Sequence, residues 1–187
     1  MASMNLARWG ALGALLAGVA WIASFVVSLV AGQGSEFFGL RSSYLIEGIA
    51  GLALAGMLVG LLGLHARQTM SYGILGTAGF LAALSGTALV LADVALAGVV
   101  RRGFLDLLLE IGLVGMFLGF VLLGVATLRA RELPRWCGVA LIIVLPISAA
   151  LGNYGGGLVS GLVWLALGYA LLSERTIDPG RRSRGAL

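Results

Sequence analysis

Six apolar segments, each about long enough to cross a lipid bilayer, constrain this chain more than any other feature of its sequence. A hydrocarbon core about 30 Å thick requires roughly 20 apolar residues in an α-helix. Only 11% of the residues are charged and the mean hydropathy is +1.06, which sets the chain apart from soluble domains. The sequence therefore predicts an all-α, polytopic membrane bundle of six transmembrane helices with short loops, within residues 1–175. The predicted spans lie near residues 9–31, 43–65, 73–99, 104–128, 136–152 and 157–173.

The distribution of arginine predicts how these spans are oriented. All twelve basic residues are arginine, and nine of them fall on one side of the membrane if both termini share that side. Cytoplasmic loops carry an excess of basic residues, so we predict a multi-pass protein of the inner (plasma) membrane with both termini cytoplasmic. Residues 176–187 then form a short basic cytoplasmic tail. The nine are Arg8, Arg67, Arg129, Arg131, Arg135, Arg175, Arg181, Arg182 and Arg184.

Similar endings of the even-numbered helices predict a repeated architecture. The second, fourth and sixth segments end in "LLGLHAR", "LGVATLRAR" and "LGYALLSER", which favours three helical hairpins. Small residues recur every four positions at Gly10, Ala14 and Gly18 and at Gly56 and Gly60, and such rows let membrane helices approach closely. We expect them to pack helices within one subunit. A docking face for a partner membrane protein or a homo-oligomer is the alternative.

The composition also excludes several classes of chemistry. Without lysine, no retinal or pyridoxal Schiff base forms. His65 and Cys137 are the only histidine and the only cysteine, which excludes a bis-histidine haem and a multi-histidine or multi-cysteine metal site within one subunit. We therefore predict no cofactor and no metal. The pI near 10.0 reflects arginines at helix ends and in the tail, so we expect contact with the lipid bilayer and none with nucleic acid.

Four acidic residues in or beside the spans are the main candidates for a functional site. Glu47, Asp93, Asp106 and Glu110 all fall in the outer third of the membrane under the predicted topology. A charge at the bilayer centre costs about 2.5–3.5 kcal/mol, so such groups usually face the bundle interior or water. The further residues expected at the same level are Arg101, Arg102, Tyr44, Asn153 and Tyr154.

These residues admit more than one interpretation. The favoured one is a non-enzymatic protein that binds or transports a small cationic or polar ligand, or protons, through an acidic outward-facing cavity. A structural interpretation is that the acids and arginines only neutralise one another. The alternative function is an accessory or assembly subunit that docks another membrane protein through glycine-rich helix faces. A membrane enzyme acting on a lipid, with Asp106 and Glu110 as acid and base, is a third possibility, although we assign no catalytic residue.

The last third of the chain resembles a known group of proteins. The stretch "LRARELPRWCGVALIIVLP", followed by a glycine-rich final helix, is similar to the last helices of uncharacterised six-helix bacterial integral membrane proteins with an LPRW-x-G motif before the fifth span. The resemblance implies the same six-helix fold. It implies no activity and no site residues.

Overall fold

A computed structural model describes residues 2–31, 36–37, 40–68, 73–96 and 102–173 of the chain. Nearly all of these residues are helical, which confirms that the fold is all-α. Two strands of two residues each, β1 (Glu36–Phe37) and β2 (Leu40–Arg41), form a small antiparallel ribbon between the first two helices. The six α-helices are α1 (Ala2–Ala31), α2 (Ser42–Gln68), α3 (Gly73–Leu96), α4 (Arg102–Ala130), α5 (Arg135–Leu151) and α6 (Gly156–Ser173).

Five of the six helices are long and apolar enough to cross a membrane. Their apolar stretches run over 24 to 26 residues in α1, α2, α3 and α4 and over 18 residues in α6, whereas α5 has 17 residues. A helix rises about 1.5 Å per residue, so each of the five matches or nearly matches the thickness of a hydrocarbon core. The chain is therefore a multi-pass membrane protein.

The helices alternate in direction, which gives the bundle two chemically different ends. We call the end at which α2, α4 and α6 begin the acidic end, because it holds Glu47, Asp93, Asp106 and Glu110 within the first or last nine residues of their helices. The opposite end is called the arginine end. Its described arginines are Arg8, Arg67, Arg129, Arg131 and Arg135.

Close packing of small residues joins the helices in antiparallel pairs. The backbone of Gly10 in α1 lies directly against Gly63 in α2, and a Cβ atom at Gly56 would approach the amide nitrogen of Ala17 to 2.8 Å. In α4, a Cβ atom at Gly119 would overlap the backbone of Ala83 in α3. Without a hydrophobic driving force between helices in lipid, such close approach supplies the van der Waals contact that holds them together.

The helix pairs are closed into one bundle by contact between the first and last helices. A Cβ atom at Gly18 of α1 would lie 2.8 Å from the carbonyl oxygen of Gly161 in α6. Nearer the middle, the ring of Trp164 in α6 packs edge-on against Phe120 in α4, with centroids 6.0 Å apart, and both side chains are buried. The α1–α6 contact is more extensive than the contact between α5 and α6. The buried core is one cluster to which all six helices contribute.

Turn chemistry at the arginine end fixes the passage from α4 to α5. Arg131 adopts a left-handed conformation with φ of 54°, and its amide donates to the Thr127 carbonyl oxygen, which closes the end of α4. Pro134 then precedes the first residue of α5, and its carbonyl accepts from the Cys137 amide. Leu133 is buried beneath this turn. The LPRW segment therefore acts as a tight, anchored connection between two helices.

Candidate functional site

The main cavity of the described part of the chain has a volume of about 600 Å³ and involves five of the six helices. This volume lies within the range of roughly 300–1,000 Å³ that is typical of small-molecule sites. Its lining residues on α5 belong to the last turns of that helix, and those on α6 to the first turns. The cavity therefore extends from the acidic end towards the middle of the bundle.

One wall of the cavity is a continuous apolar face of α4. Spacings of three and four residues place side chains on one face of a helix. All of the lining side chains on this face except the buried Met116 are exposed, because the cavity and the outer surface of the bundle adjoin here. The lining residues of this wall are Leu113, Val114, Met116, Phe117 and Leu118.

The opposite wall is formed by α5 and α6 and carries two hydroxyl groups. The Oγ atoms of Ser148 and Ser160 are 2.8 Å apart, which is a hydrogen bond between the two helices. Gly156 makes this possible, since a Cβ atom there would overlap the carbonyl oxygen of Ser148. The same carbonyl accepts the amide hydrogen of Gly152. Close approach of the helices at their turn therefore brings the two serines face to face.

Trp21 of α1, Met57 of α2 and Trp164 of α6 complete the lining of the cavity. The indole Nε1 of Trp21 donates to the Sδ atom of Met57 at 3.3 Å, and both residues line the cavity. Trp164 lines it at the level of the core. A thioether sulfur is a weak acceptor, so the Trp21 indole keeps much of its capacity to donate to a stronger one. The cavity is thus apolar with a few convergent polar atoms.

Two of the predicted acids lie on the same face of α4 as the cavity wall and closer to the acidic end, although neither is among the lining residues. We call their position the rim of the cavity. Glu110 precedes Leu113 by three residues and Val114 by four, and Asp106 precedes Glu110 by four. Both carboxylates therefore continue the cavity-lining face of α4 towards the acidic end. Both side chains are exposed, and long helical side chains lean towards the helix N-terminus, which here is the acidic end.

The other predicted acids lie elsewhere at the same end. Glu47 is exposed and shares a groove of about 290 Å³ between α2 and α3 with Tyr44. Asp93 is half-buried near the end of α3. None of the four acids is among the residues that line the main cavity. The structure places Glu47 beside Tyr44 in their own groove, and Asp106 and Glu110 one turn apart on α4.

The described side chains leave these carboxylates without a cationic partner. Within residues 44–68, 73–96 and 106–173, no arginine lies within ion-pair distance of Glu47, Asp93, Asp106 or Glu110. Tyr154 is almost fully exposed in the turn between α5 and α6. Arg101 and the side chains of Arg102 and Asn153 lie outside the described residues.

The sequence does not identify Trp21, Met57, Ser148 or Ser160 as parts of a site. The spacing of the two serines from the turn between α5 and α6 predicts that they lie close together. Ser148 lies four residues before Gly152, and Ser160 lies four residues after Gly156, so equal distances from the turn place them opposite each other in a helical hairpin. Trp21 and Met57 carry no such signal, because their meeting depends on packing between distant segments.

Comparisons with known proteins add no relatives. The chain matches no protein family, and we find no curated protein and no solved structure with significant similarity to it.

Proposed function

We propose that this chain is a non-enzymatic membrane protein that binds a small organic cation. The apolar body of the ligand occupies the main cavity, and its cationic group lies at the rim against Glu110 and Asp106. The observation that carries this proposal is the shared face of α4, on which the two carboxylates continue the line of Leu113, Val114 and Phe117.

Charge and shape together favour this class of ligand. Carboxylates near the membrane interior are unfavourable unless water, a proton or a cation compensates them, and no arginine side chain within residues 44–68, 73–96 and 106–173 does so. An organic cation offers that compensation and also fills a cavity of about 600 Å³, which a proton does not. An anion would meet repulsion at the rim. A strongly hydroxylated ligand would lose its hydration against the apolar walls.

The proposed topology has six spans, with the arginine end in the cytoplasm of a cell whose plasma membrane holds the protein. The 17 residues of α5 span about 25 Å, and the short helical turn Gly152–Tyr154 extends them at the acidic end. Within the described residues, five arginines lie at the arginine end and two, Arg41 and Arg102, at the acidic end, and this excess supports the orientation through the positive-inside rule. The cavity would then open towards the outer leaflet.

The packing of the small residues bears on the accessory-subunit alternative. Gly10, Gly56 and Gly60 face Gly63, Ala17 and Trp164 inside the bundle. Because these small residues already pack against other helices of the same chain, they are not available for contact with a partner helix. We therefore retain ligand binding as the proposed function.

Tryptophan fluorescence tests the proposal in lipid nanodiscs. Trp21 and Trp164 line the cavity, so a variant with Trp9→Phe and Trp136→Phe reports mainly on the site. The probe is hexyltrimethylammonium, and hexyl sulfate is the anionic comparison with the same chain. We expect saturable binding of the ammonium only.

Neutral acid variants show whether the rim carries that selectivity. Glu110→Gln should raise the Kd of the ammonium about five- to tenfold, because the variant removes one charge contact near the membrane surface. Glu47→Gln is the matched control, since Glu47 lines a separate groove. Equal binding of hexyl sulfate, or an unchanged Kd in Glu110→Gln, would contradict the proposal.

A further inference from the structure

We infer that the Ser148–Ser160 hydroxyl pair is a second polar anchor of the same site, which hydrogen-bonds a hydroxyl or carbonyl oxygen of the bound cation. The inference rests on the proposed function and specifies its ligand. It assigns the site an amphiphile with a cationic group at one end and an oxygen function farther along an apolar chain.

Most of the helical hydroxyls that the structure describes bond within their own helix; Thr127, which donates to the Oε1 atom of Gln68 in α2 at 3.0 Å, and the two serines are exceptions. Ser28, Ser85 and Thr87 each donate to a carbonyl oxygen three or four residues earlier in their own helix. That arrangement satisfies the hydroxyl hydrogen locally. Ser148 and Ser160 instead bond to each other across two helices.

A pair of hydroxyls bonded in this way retains hydrogen-bonding capacity. Each serine has one hydrogen and two lone pairs, and one O–H···O bond uses only one hydrogen of the two. Among the described residues, the second hydrogen has no partner, and both serines line the cavity. A donor left against apolar walls is unfavourable, whereas an oxygen of a ligand would satisfy it.

The spacing between the two anchors follows from helix geometry. Trp164 in α6 packs edge-on against Phe120 in α4, and the two helices run in the same direction. Ser160 lies one turn before Trp164, and Met116 lies one turn before Phe120. Ser160 is therefore level with Met116. Glu110 lies six residues earlier in α4, which places it about 9 Å closer to the acidic end. The ligand should hold its cationic group and its oxygen about this far apart, as an unbranched chain of six carbons does.

A comparison of two ligands isolates the second anchor. The probes are hexyltrimethylammonium and its ω-hydroxy derivative, measured by the fluorescence assay described above. In the parent protein, the hydroxy derivative should bind as tightly as hexyltrimethylammonium or more tightly. In Ser148→Ala and in Ser160→Ala, it should bind about tenfold more weakly than in the parent, because its buried hydroxyl loses a partner.

Controls separate this effect from a general loss of structure. Hexyltrimethylammonium should keep its Kd in both serine variants, since it has no oxygen. Ser85→Ala should leave both ligands unaffected, because that hydroxyl is exposed on α3 and bonds to Ala82 of its own helix.

The outcomes distinguish the two proposals. If both ammonium ligands bind and Glu110→Gln weakens them equally, but the serine variants leave their affinity ratio unchanged, the second anchor is refuted and the proposed function stands. If neither ligand binds the parent protein, both are refuted. If the serine variants weaken both ligands alike, the pair shapes the cavity and does not recognise an oxygen, which also overturns the inference.

Discussion

Replacing Gly119 by alanine tests whether close backbone contact between α3 and α4 holds this bundle together. The added Cβ atom would lie 2.5 Å from the Cα atom of Ala83, whereas ordinary contact begins at 3.4 Å. The two helices must therefore separate locally by about 1 Å, and a gap of this size forfeits a quarter to a half of the dispersion energy of the contacts concerned. Overpacking of this kind lowers the free energy of unfolding by about 1–3 kcal/mol.

Gly115 provides a matched control on the same helix. A Cβ atom there would meet its nearest neighbour, the Cα atom of Gly86, at 3.5 Å, which is ordinary contact. Both substitutions change glycine to alanine within α4, so the gain in helix propensity of about 1 kcal/mol is common to them. The difference between the two variants therefore reports the packing alone.

The single cysteine of the chain supplies the assay. Cys137 is fully buried between the helices, so a fluorogenic maleimide reacts with it only when the bundle opens on heating in detergent micelles. With about 2–4 °C per kcal/mol for a chain of this length, Gly119→Ala should lower Tm by about 2–12 °C relative to Gly115→Ala. Equal Tm values for the two variants would refute the packing argument.

Three further predictions concern the cavity, the arginine end and the topology. Val114→Trp should abolish binding of hexyltrimethylammonium because the added ring occupies the cavity, while Tm changes by no more than a few degrees; retained binding would place the ligand elsewhere. Arg67 donates to the Leu171 carbonyl oxygen at 3.1 Å, so Arg67→Met should cost about 1.5–3 kcal/mol and lower Tm accordingly, and an unchanged Tm would show that this bond contributes nothing. In intact cells, Tyr154→Cys should react with a membrane-impermeant maleimide and Glu132→Cys should not; the reverse pattern would invert the proposed orientation.

Hydropathy located the helices because the length of an apolar run is a local property. It found the membrane spans better than the helix ends, and α1 shows why. The predicted span begins at residue 9, but the helix begins at Ala2, because polar residues at the membrane surface continue a helix as readily as apolar ones. Likewise, "GNYGGG" predicts a turn, and the structure has a short helical turn there with Gly152 at φ 48°.

The candidate site was only partly predictable, because it depends on how each helix is rotated about its axis. The depth of Glu47, Asp93 and Glu110 follows from their distance to the helix ends. Which of these acids lies near the cavity depends on contacts between segments that are far apart in the chain. The α1–α6 contact, for example, brings the Trp21 carbonyl oxygen beside Gly157, and no pattern in either segment indicates the other.

The contact between the first and last helices also determines when the cavity comes into existence. A ribosome releases α1 first and α6 last, so α1 can pair with α2 early. The face of α1 that holds Gly18 packs against α6, so this contact forms only after the last helix has been synthesised. Ser160 and Trp164 arrive only with that final helix. A chain that stops before α6 would therefore be inserted and largely helical, yet it would have no binding cavity, and the exposed small residues of α1 would mark it as unfinished to the quality-control machinery of the cell.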